Sequence, residues 1–520
     1  MYVVMIASEC APVAKVGGLA DVVAGLSREL QLRGHSVEII LPKYDVLRAD
    51  QIWGMQISFD DLWVPWDGGA IRCTVWFGFV HGSKCYFIEA HCAQDFYNRG
   101  THYGFWDDPE RFAFLSKAAL EFMLKSNKRP DVIHTHDWQT ALVPVLLTEM
   151  YAVDGLQRAR LCHTIHSFAH QGVCNKHILY AAGLAAPESL VVPERLGGAF
   201  DPHAINLSQG AIVYAHQVTT VSPQHAWEVQ FTDQGCGLGH TLYQHRDKFT
   251  GVLNGLDYAV WNPQIDPHIF QQYTADSFEL KTINSLALRD RMQLRDDGRP
   301  IIAYVGRLDR QKGLHLIRHT LHYALANGAQ FVLLGSGSEP AINDEFRALK
   351  RNLRDSPDCH LEIGYDEELS HLIYAGADLL IAPSMFEACG LTQMIALRYG
   401  TIPVVRSVGG LKDTVFDWDY AEQPQHLRNG FVFDHPDASG IESALSRALA
   451  LWKEQPALFR QLALQGMSYD YSWNQPGQQY LEIYQRGGDM PAELETTRIL
   501  PTVDQTSQVV AHAMTDQQDL

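Results

Sequence analysis

The sequence predicts an α/β fold of two doubly wound, Rossmann-like domains facing across a cleft, and three observations carry the prediction. Short apolar runs rich in β-branched residues alternate with longer amphipathic stretches, the pattern of parallel sheet with helices on both faces. The alternation stops at a cluster of turn residues, "VLNGLDYAVWNPQIDP", and then restarts. The chain has 520 residues, more than one ordinary core organises. The expected domains span residues 1–250 and 251–468.

In chain order, Tyr2 to Ala7 reads as a buried strand. Leu19, Val22, Val23, Leu26 and Leu30 then recur at helical spacing. "SVEIILP", "KCYFIEA", "DVIHTHD", "ARLCHTIHS" and "QVTTVSP" are further strand candidates. "RFAFLSKAALEFMLK" and "TALVPVLLTEMY" are helices between them. After the break, "PIIAYVGRL", "QFVLLGSG", "CHLEIGY", "DLLIAPS", "IPVVRS" and "GFVFD" form a second strand series. Residues 488–520 are polar with few aromatics and are expected to be a flexible tail.

Acidic residues outnumber basic ones by 60 to 41, a net charge of −19 that disfavours nucleic acid and anionic membranes as partners. No run reaches transmembrane length and no secretory leader is evident, so a cytoplasmic protein is expected. The nine cysteines are odd in number and scattered, with no C-x-x-C pair, which reads as reduced thiols. The histidine groups "HTHDW" and "HTIHSFAHQ" match neither H-E-x-x-H nor finger spacing, so no metal is expected.

Three stretches suggest chemistry. In "AKVGGLAD", Gly17 and Gly18 sit at a strand-to-helix turn. There a ligand can approach backbone N–H groups, the helix start favours an anion, and Lys15 adds an ammonium. A tight turn with a solvent lysine would look the same. In "AYVGRLDRQKGLHLI", a strand ends at Gly306 and Arg307 and Lys312 flank the following loop. A guanidinium fork with a point charge suits a diphosphate, although surface loops carry such residues too. In "IAPSMFEACGLTQMIALRYG", a strand ends at Ser384, Glu387 follows, and a helix starts near Gly390. Glu387 could hold sugar hydroxyls or merely cap the helix.

Together these stretches resemble the bacterial glycogen synthases and plant starch synthases, retaining glucosyltransferases of the glycosyltransferase-B fold. The resemblance runs over residues 1 to about 485 through "KVGGL", "HDWQTAL", "TIHSFAHQG", "TTVSP", "NGLDYAVWNP", "GRLDRQKG", "SMFEACGLTQ" and "GGLKDTV", in the family's order. It implies transfer of glucose from ADP-glucose to the non-reducing end of an α-1,4-glucan, glycogen or starch-like, with retention of configuration. It also implies a C-terminal helix, residues 469–487, crossing back to the N-terminal domain. By matching position, Lys15, Gly17 and Gly18 would meet the diphosphate, and Arg307 and Lys312 would neutralise it as it leaves. Thr392 would add a hydrogen bond and Tyr365 would stack on the adenine. Glu387 and the amides of Cys389, Gly390 and Leu391 would hold the glucose hydroxyls, and His166 would lie beside the anomeric centre. Asp21, Asp107 and Asn254 match further polar positions. No metal or cofactor is implied, because cationic side chains take that role.

The chain departs from the family pattern at Ala388, Ser167, Gln209 and His225, where proline, asparagine, lysine and tyrosine are usual. Ile395 stands where many retaining relatives carry a second glutamate, which favours the synthase branch. The departures leave room for a related glucosyltransferase with another donor or a short acceptor. They also leave room for a weakly active paralogue that serves as a glucan-binding or priming partner.

Overall fold

The structure is a computed structural model that describes residues 1–151, 155–197, 201 and 203–486. The chain forms two compact units. The first comprises Met1–Val221, Ala226–Val252 and the described residues from Gln475; the second comprises Ser222–His225 and Leu253–Asn474. Residues 488–520, expected as a tail, lie outside the described residues.

The first unit is built on a nine-stranded sheet. Its strands are β1 (Tyr2–Ile6), β2 (Ser36–Pro42), β3 (Trp53–Trp66), β4 (Gly69–Val80), β5 (Ser83–His91), β6 (Val132–His136), β7 (Arg160–Ile165), β10 (Gln217–Thr220) and β11 (Phe249–Gly251), with the small pair β8 (Val173–Asn175) and β9 (Ala204–Asn206) set apart. The spatial order is β11-β10-β7-β6-β1-β2-β5-β4-β3. Strands from β11 to β5 pair in parallel, whereas β5-β4-β3 is antiparallel.

An antiparallel margin extends the parallel sheet that the strand-helix alternation predicts. Asp67-Gly68 and His81-Gly82 all have positive φ, between 47° and 85°, and form the two-residue turns that join β3, β4 and β5. At the end of β3, Leu62, Val64 and Trp66 are buried while Asp61, Trp63 and Pro65 are exposed, the two-residue period of a sheet with one packed face. The parallel strands β1, β2, β6, β7 and β10 are buried along nearly their whole length, as parallel strands covered by helices on both sides are. The helix Gly18–Leu32 buries Leu19, Val22, Val23, Leu26 and Leu30, as their spacing predicts. Ile6, Ile40, Ile88 and Ile133 meet Phe114, Leu120 and Leu146 in one core.

The second unit holds six parallel strands, β12 (Ile301–Val305), β13 (Gln330–Gly335), β14 (Cys359–Ile363), β15 (Leu379–Ala382), β16 (Ile402–Arg406) and β17 (Phe431–Phe433), in the order β14-β13-β12-β15-β16-β17. Ile302, Leu333, Leu361, Ile381, Val404 and Phe431 form its core. The strand order reverses between β12 and β15 here, and between β1 and β6 in the first unit. Such reversals open a crevice at the carboxyl ends of the strands, where α/β proteins seat ligands.

The last described helix, Asn474–Gln485, packs within the first unit. The Tyr484 hydroxyl lies 2.7 Å from His134 Nδ1, and Arg33 donates to Gln478 Oε1 at 3.0 Å. No helix among the described residues is long and apolar enough to cross a membrane.

Candidate active site

In the first unit Lys15 and Gly17 lie on the loop after β1, Gly18 and Asp21 on the helix it leads into, Asp107 on the loop after β5, and His166 just after β7. Eleven residues, Ala7 to Gly17, separate β1 from the first helix, so the glycines sit in a longer loop than a tight turn. Gly17 has φ −143° and caps the helix, and neither Gly17 nor Gly18 has positive φ. A Cβ on either would meet nothing within 4 Å. Neither the backbone conformation nor the chain's own packing demands glycine there, so the backbone is open to its surroundings at both positions.

Glu9, a residue the motif reading passes over, organises this loop. It is only 5% exposed. Its Oε2 accepts the N–H groups of Val16 and Gly17, at 2.7 and 2.9 Å, and its Oε1 accepts the Tyr103 hydroxyl at 2.8 Å. Lys15 is ion-paired with Asp21 at 2.8 Å. Asp107, expected as a binding residue, is held by both terminal nitrogens of Arg99, at 2.6 and 2.7 Å. That fork holds the Asp107 carboxyl below the usual carboxylate range.

His166 follows β7 directly. Its backbone N–H donates to Asp137 Oδ1 at 2.6 Å, as does that of Ser167 at 3.3 Å. Asp137 has φ +55°, an uncommon conformation for a side-chain-bearing residue, and its neighbourhood over-determines it. Burial, reinforced by the negative charge of Glu9, pushes its carboxyl up to about 7. Burial also holds the His166 imidazole down to about 3, so the ring is neutral at ordinary pH. Beside it, Asp108, Trp138, His170, Gln171 and Cys236 line a cavity of about 480 Å³. Gly172 has φ +64°, and a Cβ there would meet the Trp138 ring at 2.7 Å, so glycine lets the indole lie where it does.

In the second unit, β12 and β15 are neighbours and their loops are stitched together. Both strands stop short of expectation, at Val305 and Ala382. Lys312 Nζ is ion-paired and hydrogen-bonded to Glu387 Oε2, which also accepts the Ser384 hydroxyl at 2.9 Å. The Met385 N–H donates to the Gln311 carbonyl at 2.7 Å. Gly313 has φ +71°, and a Cβ on it would come within 2.3 Å of the Pro383 carbonyl oxygen, so the glycine of "RQKG" serves the chain itself. Arg307 is exposed, 3.2 Å from Asp309.

The helix after Glu387 begins at Thr392 with Leu391 as its cap, later than the expected Gly390. Gly390 itself is left-handed, φ +73°. Gln393 pins this turn: its Nε2 donates to the carbonyls of Cys389 and Gly390 and to Thr414 Oγ1, at 3.1, 2.9 and 3.1 Å. Gly409 has φ +45°, and a Cβ on Gly410 would meet the Cys389 carbonyl at 2.1 Å, so both glycines of "GGLKD" serve the chain itself. Glu387 therefore faces a lysine and a serine rather than capping the helix. Burial pushes the Cys389 thiol up to about 12, so it is a packing residue. Asn254, beside it, keeps Oδ1 buried with no partner among the described residues. Tyr365, after β14, is 82% exposed.

The departures are accommodated. The Ala388 carbonyl accepts the Ser222 hydroxyl at 2.6 Å, which fixes the turn without a proline ring. Gln209 donates to the Pro193 carbonyl at 2.5 Å. His225 is buried, with its N–H on Ser222 Oγ at 3.2 Å. Among the described residues, no group of three or more His, Cys, Asp or Glu side chains could hold a metal ion.

Comparison with known proteins matches residues 2–244 to the starch synthase catalytic domain family and residues 289–462 to the glycosyl transferases group 1 family. The chain is 58% identical over 486 residues to glycogen synthase 1 of Trichormus variabilis, covering 93% of this chain and 99% of that one. It is 60% identical over 476 residues to glycogen synthase 2 of Methylococcus capsulatus, covering 92% and 98%. Among solved structures, the catalytic domain of starch synthase IV from Arabidopsis thaliana, bound to ADP and acarbose, superposes with a TM-score of 0.90 at 44% identity, covering 93% of this chain and 99% of that one. A sucrose-phosphate synthase from Thermosynechococcus elongatus shares the fold, with a TM-score of 0.58 at 19% identity and coverage of 93% and 98%. The two α/β units and these likenesses agree: the chain belongs to the glycogen and starch synthase family of glycosyltransferases, with the glycosyltransferase-B fold.

Proposed function

We propose that this glycogen synthase family member uses ADP-glucose as donor and adds glucose to the non-reducing end of an α-1,4-glucan with retention of configuration. The observation that carries the reading is the Lys312–Glu387–Ser384 cluster, held on the loops of two adjacent strands where the sheet order reverses. That the related Arabidopsis starch synthase IV domain binds ADP supports an adenosine diphosphate leaving group.

In this reading, breaking the glucosyl–phosphate bond puts negative charge on the diphosphate and positive charge on the sugar ring. Lys312, Arg307 and Lys15 serve the first charge, with the open backbone at Gly17 and Gly18 allowing close approach. Donor binding draws Lys312 from Glu387 toward phosphate and frees Glu387, with the amides of Cys389, Gly390 and Leu391, for glucose hydroxyls. Thr392 adds a hydrogen bond to the phosphate, and Tyr365 stacks on adenine. The neutral His166 lies beside the anomeric carbon, while Asp21, Asp107 and Asn254 hold neighbouring groups in place. The leaving phosphate takes the acceptor's proton, so no separate base is required. Cationic side chains do the neutralising, so the reading calls for no metal or cofactor. A cytoplasmic setting goes with it.

The test is transfer from ADP-[14C]glucose and UDP-[14C]glucose to glycogen, maltose or no acceptor. Incorporation into glycogen from the adenosine donor is expected. Transfer from the uridine donor alone would overturn the donor assignment.

A further inference from the structure

His136 is completely buried at the carboxyl end of β6, paired in register with Thr164 of β7. Its Nδ1 lies 3.2 Å from Nε2 of His166, with ring centroids 5.4 Å apart. On its other side the His134 ring lies 4.2 Å away, inclined by 34°. His134 is fixed through both nitrogens, by the Tyr484 and Thr164 hydroxyls, each at 2.7 Å. The Thr140 hydroxyl accepts the His136 N–H and donates to its carbonyl, both at 2.8 Å. Backbone and ring are thus both held, and the ring presents one nitrogen to His166.

The other nitrogen decides which ring donates. His136 Nε2 is buried with no partner among the described residues. Burial keeps both rings neutral, so each carries one N–H. Were His166 the donor, His136 would carry its own proton on Nε2, a buried N–H with no partner among the described residues, which folded proteins very rarely keep. With His136 donating from Nδ1, its Nε2 keeps only a lone pair. His166 then bears its proton on Nδ1, the nitrogen that His136 does not engage.

We propose that His136 is a positioning residue for glucosyl transfer: its Nδ1–H donates to His166 Nε2, fixes that ring's orientation and sets it as an Nδ1–H donor. The proposal rests on the reading of His166 as a residue at the reacting sugar, and adds a residue which that reading lacks. Together with Asp137, which holds the His166 backbone, it gives the "HD" pair of the H-D-W stretch a joint task.

Asparagine offers an amide N–H close to where histidine has Nδ1, whereas glutamine reaches the Nε2 position. His136→Gln and His136→Ala are expected to lower kcat by about 100-fold, the scale of a misplaced group, with donor KM within about twofold. His136→Asn should recover most of the rate. In a His166→Ala background the changes at 136 should cause no further loss. Equal losses in all three variants, no loss in any, or additive losses in the His166→Ala background would overturn the proposal. Should the variants fail to fold, 15N spectra of the histidine-labelled native chain decide. The His166 signal, identified by its disappearance in His166→Ala, must show the Nδ1–H tautomer, and the Nε2–H tautomer sinks the proposal. If His166→Ala transfers glucose at the native rate, it is the reading of His166 that fails, and the tautomer result is judged separately.

Discussion

Glu9 Oε2 accepts the backbone N–H of Gly17 at 2.9 Å and, with the same oxygen, that of Val16 at 2.7 Å. A buried carboxylate thereby shapes the loop that carries Lys15. Hydrogen bonds to a charged group contribute about 1.5–3 kcal/mol each, and leaving their partners unsatisfied costs a comparable amount. Glu9→Ala should therefore lower the thermal unfolding temperature and raise the donor KM together. Calorimetry alongside transfer kinetics checks both.

Two glycines should behave in opposite ways. Gly18→Ala adds a methyl group into open space at ordinary φ, so stability should hold or rise by about 0.4–1 kcal/mol while donor affinity falls. Gly313→Ala forces a side chain into the left-handed region and against the Pro383 carbonyl, so stability itself should drop. Chemical denaturation and ADP titration of the two variants separate the cases.

Lys312 and Glu387 should prove coupled. Each single alanine substitution is expected to lower kcat by about 10²–10³-fold, as for other groups that meet developing charge. The double variant should lose less than the product of the two, because they share one ion pair. A double-mutant cycle on kcat measures the coupling.

Tyr365→Ala should weaken ADP by about 1–3 kcal/mol, the usual contribution of a base stacked on an aromatic ring. Unfolding should be unaffected, since the ring is largely in solvent. Isothermal titration with ADP, and with glucose 1-phosphate as a control lacking the base, distinguishes stacking from a general loss.

Asp137 predicts a pH dependence of defined sign. Folding raises its carboxyl from 3.8 to about 7, so between those values the folded chain keeps a proton that the unfolded chain has lost. Its stabilising contribution is complete below 3.8 and disappears as the pH rises through about 7. Asp137→Asn keeps an acceptor for the His166 N–H without the charge. The stability difference, native minus variant, should thus fall across that window, and the variant should be the more stable above it. Denaturant midpoints at a series of pH values provide the check.

Much of this was legible in the residues. The second unit's strands fall on its apolar runs, because fully buried parallel strands leave no other use for "PIIAYV" or "DLLIA". Lys312, Glu387 and the glycine-bearing turns are equally visible, being charged or flexible residues placed just after strands. The β3–β4 hairpin was hidden by the strand-helix alternation around it, although Asp67-Gly68 is an ordinary hairpin signal. Glu9, Asp137 and His136 make contacts that join separate loops, and local spacing does not reveal those contacts. A charged residue embedded in the apolar start "MIASECAP" was the one local hint of Glu9. The Arg99–Asp107 fork and the Gln393 clamp likewise exist only once the loops are folded against one another.

The helix Asn474–Gln485 has a consequence for biosynthesis. His134 finds the Tyr484 hydroxyl 350 positions downstream, a stretch that a ribosome needs roughly 20–70 s to translate. The first half to emerge must therefore wait, with His134 Nδ1 lacking this partner, until the helix Asn474–Gln485 has been made. Synthesis of that helix, rather than emergence of the first sheet, sets the moment at which this contact can close.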